Sequence, residues 1–206
     1  MSKDENTKGK ILSVATKLFA EKGFDGVGIR ELCQEAGVNI SMISYYFGGK
    51  KELYQAIIDN LMETQLAYFS DIIDTESTLS NACREDSIDL LHQLIDRFTK
   101  FIFSDLSREL LVFMVSEQQR QKAVVHPKSF YFVRKVLAHI LQKDESDPYV
   151  VLHTVFLIGN VISPRVLLHF SLEVMNKADF SPEDIAIIQQ NAHAYLDMII
   201  KENECV

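Results

Sequence analysis

Apolar residues recur at three- and four-residue spacing along most of the chain, and strict alternation is scarce, so the pattern predicts an all-α fold. Ile11, Ala15, Leu18 and Phe19 share the inner face of a helix from about Thr7 to Lys22. Gly23 ends it, and Phe24, just past the stop, can pack back on it. Asp25-Gly26 is a turn signal. Ile29, Leu32, Cys33 and Ala36 lie on one side of a second, short helix, and Gly37 stands where the stop needs positive φ. Val38 packs inward and Asn39 can cap a third helix. After Gly48-Gly49, Lys50-Lys51-Glu52 opens a long helix with Leu53, Ile57, Leu61 and Tyr68 on its apolar side.

Further on, Thr75 to Arg84 reads as a loop, and Ile88, Leu91, Leu94, Ile95, Phe98 and Phe101-Ile102 form a strong helical stripe. Leu110 to Val115 starts a helix that turns polar at Glu117 to Gln121. His126-Pro127 marks a break before Phe130, Val133, Val136-Leu137 and Ile140-Leu141. Asp144 to Pro148 is a connection, and Val150 to Phe170 is apolar on nearly all sides, with Pro164 expected to kink it. Ser181 caps and Pro182 opens a last helix carrying Ile185, Ile188, Ala192, Leu196 and Ile199 to about Lys201.

Composition changes this picture in a few places. Of 206 residues 47% are apolar, enough for a sizeable core. The net charge is −8, yet residues 1–60 hold eight cations and eight anions, so the whole deficit lies beyond them. The acidic part therefore faces solvent or a partner rather than phosphate. A neutral N-terminal part implies modest affinity for nucleic acid per module and a need for dimerisation. Cys33, Cys83 and Cys205 form no disulfide framework, which suggests a reducing compartment. MSKDENTKGK is no basic-then-apolar leader. The run from Val155 to Ile162 is too short to span a bilayer, so the expectation is a cytoplasmic protein with no membrane partner. The six histidines are not paired at helical spacing and no cysteine sits near them, so no metal is expected. No nucleophile elbow, phosphate loop or dinucleotide fingerprint occurs, so neither an enzyme nor a cofactor is expected.

Helix, glycine turn, helix over Gly26 to Phe47 is the arrangement that sets a second helix into the DNA major groove. Three segments here resemble the N-terminal domain of TetR-family transcriptional regulators: Ala15 to Phe24 (ATKLFAEKGF), Ile29 to Val38 (IRELCQEAGV), and Tyr45 to Leu53 (YYFGGKKEL). The resemblance covers about the first sixty residues. It implies a three-helix helix-turn-helix DNA-binding domain over 1–53, joined by a long helix to a larger helical effector-binding and dimerisation domain over 54–206. It also implies roles. Gly28 and Ile29, at the amide end of the second helix, would meet a phosphate. The recognition helix would start near Asn39, with Ile40, Ser41, Ser44 and Tyr45 toward the groove. Tyr45, Tyr46 and Lys50 would contact phosphates. The family usually has threonine where Gly28 stands, tyrosine where Ser44 stands and often a basic residue near Ile40. Base readout would then lean on hydroxyls and on methyl contact with thymine.

The function implied is a homodimeric repressor of a two-fold symmetric operator, its recognition helices about 34–36 Å apart, released by a small-molecule effector. Phe101, Phe113, Gln118, Phe132, His153, Phe156, Asn160 and Arg165 are the candidates for an effector pocket. Dimerisation would use the last helix and Val150 to Phe170. The alternative is a helical interaction protein that keeps the fold and has lost specific DNA binding.

Overall fold

The computed structural model describes residues 3–72, 82–120 and 128–204, without the side chains of residues 3, 118–120, 128 and 129. Most of the Thr75 to Arg84 loop and the break at His126-Pro127 lie outside the described residues. The described residues are helical throughout, without strands: α1 (Lys3–Gly26), α2 (Ile29–Ala36), α3 (Ile40–Phe47), α4 (Lys50–Phe69), α5 (Arg84–Lys100), a π-helical turn (Phe101–Asp105), α6 (Arg108–Arg120), α7 (Lys128–Leu141), α8 (Pro148–Val166), α9 (Leu168–Met175) and α10 (Pro182–Glu204).

The chain divides into two compact units, Met1–Gln65 with Ser107–Val125, and Leu66–Leu106 with His126–Val206. The first holds α1 to α3, most of α4, and α6. Its core is the set of positions that the spacing picks out: Ile11, Ala15, Phe19, Leu32, Ala36, Leu53 and Leu61 are fully buried, as is Ile43 of α3. The unit runs to Gln65, with Ile57 and Leu61 continuing the same buried face. It also takes in α6, which packs along α1. Phe113 of α6 is buried and meets the Tyr54 ring edge-on at 5.6 Å; Tyr54 in turn meets Phe19 and Phe24 at 5.3 and 5.0 Å. The Tyr54 hydroxyl donates to the buried Glu117 carboxylate.

Glycines set the corners of this unit. Gly23 leaves helical space at φ 73°, a break inside α1 where the sequence expects a stop. Gly37 sits at φ 62°, ψ 41°, and with Val38 it returns backbone N–H groups to Gln34 and Cys33 carbonyls, closing α2.

In the second unit α5 packs on α7, α8 and α10, and α7 and α10 each pack on α8. α5 runs into the π turn, where Leu106 N–H reaches back to the Phe101 carbonyl at 2.8 Å. The wider turn lets Phe101, Ile102 and Leu106 all point into the core. Asp147 caps α8 at the Tyr149 amide, with Pro148 in the first turn. Pro164 lies inside α8, and the break comes three residues on, at Leu167 (φ −89°, ψ 35°). α9 follows without one buried side chain. Ser181 and Asp184 cap α10 reciprocally, each side chain bonded to the other's amide, as Ser181 before Pro182 foreshadows.

Candidate nucleic-acid interface

Asn39 enters α3 with extended backbone (φ −82°, ψ 154°), the cap position expected of it, although its side chain makes no capping bond. α3 has one buried residue, Ile43, which anchors it to the first unit. Ile40, Ser41, Ser44 and Tyr45 are exposed, Tyr45 at 80% and Ile40 at 45%. A helix with a single fully buried residue, offering two hydroxyls, a branched aliphatic and a tyrosine to solvent, has the shape and chemistry to enter a groove. Gly48, left-handed at φ 94°, ends it by donating to the Ser44 carbonyl.

The other expected residues lie on the helices before and after α3. Gly28 is the N-cap of α2 in extended conformation; Ile29, the first helical residue, is half-buried. The Gly28 amide is engaged at 3.5 Å by Glu31. Glu31 is bonded to Lys22, whose ammonium holds that carboxyl below the usual carboxylate range. Space around Gly28 is open: a Cβ there meets nothing within 4 Å. Lys50 sits at the start of α4 with its ammonium 4.3 Å from the centre of the Phe24 ring.

The two tyrosines differ. Their rings meet edge-on at 5.0 Å. Tyr46 is half-buried, and its hydroxyl donates at 2.8 Å to Asp4, a bond that raises the phenol above its usual range and keeps it a donor. Asp4 carries no signal in the sequence, because its partner is 42 residues away. Two further cations near this face were equally invisible. Lys8 lies 5.7 Å from the Phe47 ring centre, and the Lys10 ammonium lies 3.4 Å from where a Cβ on Gly37 would stand. Both place positive charge beside the turn and α3.

Residues 11–57 match the family model described as bacterial regulatory proteins of the tetR family, and those residues contain α2, α3 and the start of α4. Over those residues the chain carries a helix-turn-helix domain of the TetR type. Relatives along nearly the whole length agree. The HTH-type transcriptional dual regulator CecR of Shigella flexneri is 24% identical, over 97% of this chain and 93% of its own. The HTH-type transcriptional regulator UidR of Escherichia coli is 25% identical, over 87% of this chain and 84% of its own. Solved structures share the TetR fold. The ketosteroid transcriptional regulator KstR2 of Mycobacterium tuberculosis superposes with TM-score 0.58 at 19% identity, covering 95% of this chain and 93% of that one. A TetR regulator from Haloarcula marismortui does so with TM-score 0.56 at 17% identity, covering 94% and 98%. These likenesses support a DNA-binding, helix-turn-helix transcriptional regulator.

The candidate effector residues of this chain are dispersed. Phe113 is in the first unit, edge-on to Tyr54, and the side chain of Gln118 lies outside the described residues. In the second unit Phe101 packs on Tyr68 and Phe69, and Phe132 is buried. His153 shares a 2.6 Å hydrogen bond with the Tyr195 hydroxyl, Asn160 and Arg165 are half-buried, and Phe156 is 53% exposed. None of those whose side chains are described lines the apolar cavity of that unit. Its walls are Phe69, Leu91, Leu94, Ile95, Phe98, Phe130, Val133, Leu157, Ile158 and Val161, around about 410 Å³ of space not filled by atoms, its open mouth included. The side chains crowd most of that space, leaving clear room for scarcely more than one water.

Proposed function

We propose that the chain is a homodimeric repressor that grips a two-fold symmetric site in double-stranded DNA and is released by a small apolar effector. One observation carries the DNA reading: α3 stands on the single buried residue Ile43 and turns Ile40, Ser41, Ser44 and Tyr45 to solvent. Ile40 is suited to the thymine methyl and the serines to base-edge hydrogen bonds. Asn39, Tyr45, Tyr46 and Lys50, with the α2 amide end at Gly28 and Ile29, supply the contacts to phosphate.

Dimerisation is supported by an apolar stripe in the second unit. Leu152, Val155 and Phe156 of α8 and Ile187 and Met198 of α10 are each more than 40% exposed. His153 and Tyr195, bonded to each other, lie within these two stripes and set them side by side. α8 is long and apolar enough to cross a bilayer by length and composition, but a second copy of the same stripe also covers such a face. The effector reading is supported by the wholly apolar cavity walls. A ligand there gains from burial, must part the side chains to enter, and shifts the protein only if it prefers one state. The protein then works in the cytoplasm, on DNA, with no catalytic step.

Selection of bound fragments from random double-stranded DNA tests the reading. The expected result is a palindrome whose half-sites lie about one helical turn apart. A purified dimer that enriches no sequence, and shifts no fragment of its own upstream region, favours the helical interaction protein instead.

A further inference from the structure

α5 and α10 are pinned together by two histidines that sequence spacing leaves unconnected, at positions 92 and 193. Their rings stack with centres 4.8 Å apart, and His92 Nδ1 lies 2.6 Å from His193 Nδ1. Each outer nitrogen faces a carboxylate. His193 Nε2 is 2.5 Å from Asp96 Oδ1, which also accepts from the Gln189 amide, and His92 Nε2 is 3.2 Å from Asp197 Oδ1. The row is therefore carboxylate, imidazole, imidazole, carboxylate. It contains three polar contacts, and each needs one hydrogen. Two neutral imidazoles bring only two. With both Nε2 hydrogens on the carboxylates, two lone pairs would face each other across 2.6 Å. With one hydrogen moved to the middle, a bare Nε2 would face a carboxylate.

We infer that the His92–His193 pair holds one additional proton, shared between the two Nδ1 atoms, and that this proton clamps α10 to α5. The pair then carries one positive charge between two negative ones. No metal ion fits in its place, since two metal–nitrogen bonds of about 2.0–2.1 Å need more than 2.6 Å between nitrogens at any tetrahedral angle. Asp96 and Asp197 are the charged groups in contact with the pair, from α5 and α10 themselves. The histidines brought by the neighbouring helices are engaged elsewhere: His139 of α7 with Ser87, and His153 of α8 with Tyr195. Both rings are about a quarter exposed, so solvent can supply and remove the proton.

The clamp matters because the other side of α10 carries Ile187 and Met198 of the proposed dimer stripe. Losing the proton sets lone pair against lone pair and loosens the helix that displays that stripe. The sign follows. The two free histidines of the unfolded chain bind two extra protons well below about pH 6.5 and none well above it, against the one held by the pair. The native state therefore has the proton excess only above about pH 6.5, and there the clamp fades as pH rises. From about pH 6.5 to 8 this steepens the fall in the folding equilibrium constant by up to about tenfold per pH unit, and below about pH 6.5 the second proton taken up by the unfolded chain reverses the slope.

The test compares full-length protein with His92→Gln, following thermal and urea unfolding across that window. The expected result, above about pH 6.5, is a steeper loss of stability with rising pH in the parent than in the variant. Parallel pH profiles overturn the proposal. The parent alone offers a second reading, by nitrogen NMR of the histidine rings. A pair of Nδ1 signals that moves together with pH, between one protonated and two bare nitrogens, supports the shared proton. Two independent neutral rings throughout, or signals that move only on adding zinc, overturn it. Asp96→Asn, which keeps an acceptor and removes a charge, is expected to move the midpoint of that transition to lower pH.

Discussion

The Asp4–Tyr46 bond sets a residue-scale conflict on the proposed DNA-facing side. In the free protein Tyr46 gives its hydroxyl to a carboxylate, and a phosphate arriving at Tyr46 meets that negative charge at close range. Asp4→Asn keeps an oxygen acceptor and removes the charge. It is expected to raise DNA affinity about fivefold at low salt, the effect of relieving one like-charge contact near 4 Å in water. Titration by fluorescence anisotropy reads this, and an unchanged or weaker affinity sinks the assigned role of Tyr46. Tyr45→Phe combined with Lys50→Ala should weaken binding to all sequences alike and flatten the slope of log affinity against log salt by about one. Lys50 also lies on the Phe24 ring, so unfolding curves must accompany the binding data to separate the two losses. An unchanged slope removes Lys50 from the phosphate contacts.

Among the elements, the turn between α2 and α3 depends on Gly37 at φ 62°. An alanine there pushes its Cβ against the following carbonyl and also meets Lys10 at 3.4 Å. Gly37→Ala should cost about 1–2 kcal/mol in urea unfolding. A neutral result shows that the turn relaxes. This turn was legible because only glycine serves there cheaply, and so were the faces of α1, α2, α4 and α10, whose buried residues recur at helical spacing. The π turn at Phe101–Asp105 was not legible. Phe101-Ile102 simply continues the α5 stripe in sequence, and the extra residue in the turn shows only when the backbone bonds are traced. Pro164 lies inside α8, and the helix ends three residues on, at Leu167.

For the whole molecule the decisive surface is the exposed stripe of α8 and α10. Gly159 lies in it, at the helical repeat of Leu152, Val155 and Phe156, and a Cβ built there meets nothing within 4 Å. Gly159→Leu therefore leaves the subunit intact, and by helix propensity stabilises it by up to about 1 kcal/mol. If the stripe is a subunit contact, the same change wedges the copies apart. Light scattering should show a weaker dimer, and DNA affinity should fall with it. A dimer of undiminished strength moves the interface elsewhere. The neutral N-terminal sixty residues give this test its force, since a head with little net charge needs two-fold binding to hold DNA.

Amino-acid order alone determined the helices, their inner faces, the glycine corners and the helix-turn-helix. These rest on local backbone preference and on periodicity, which act within a few residues. Tertiary structure alone decided that α6 joins the N-terminal unit, that Asp4 reaches Tyr46, that ten apolar side chains enclose a cavity none of the expected aromatics lines, and that His92 meets His193. Each of these joins positions tens of residues apart. Such contacts are set by how helix faces pack in three dimensions, which spacing along the chain does not encode.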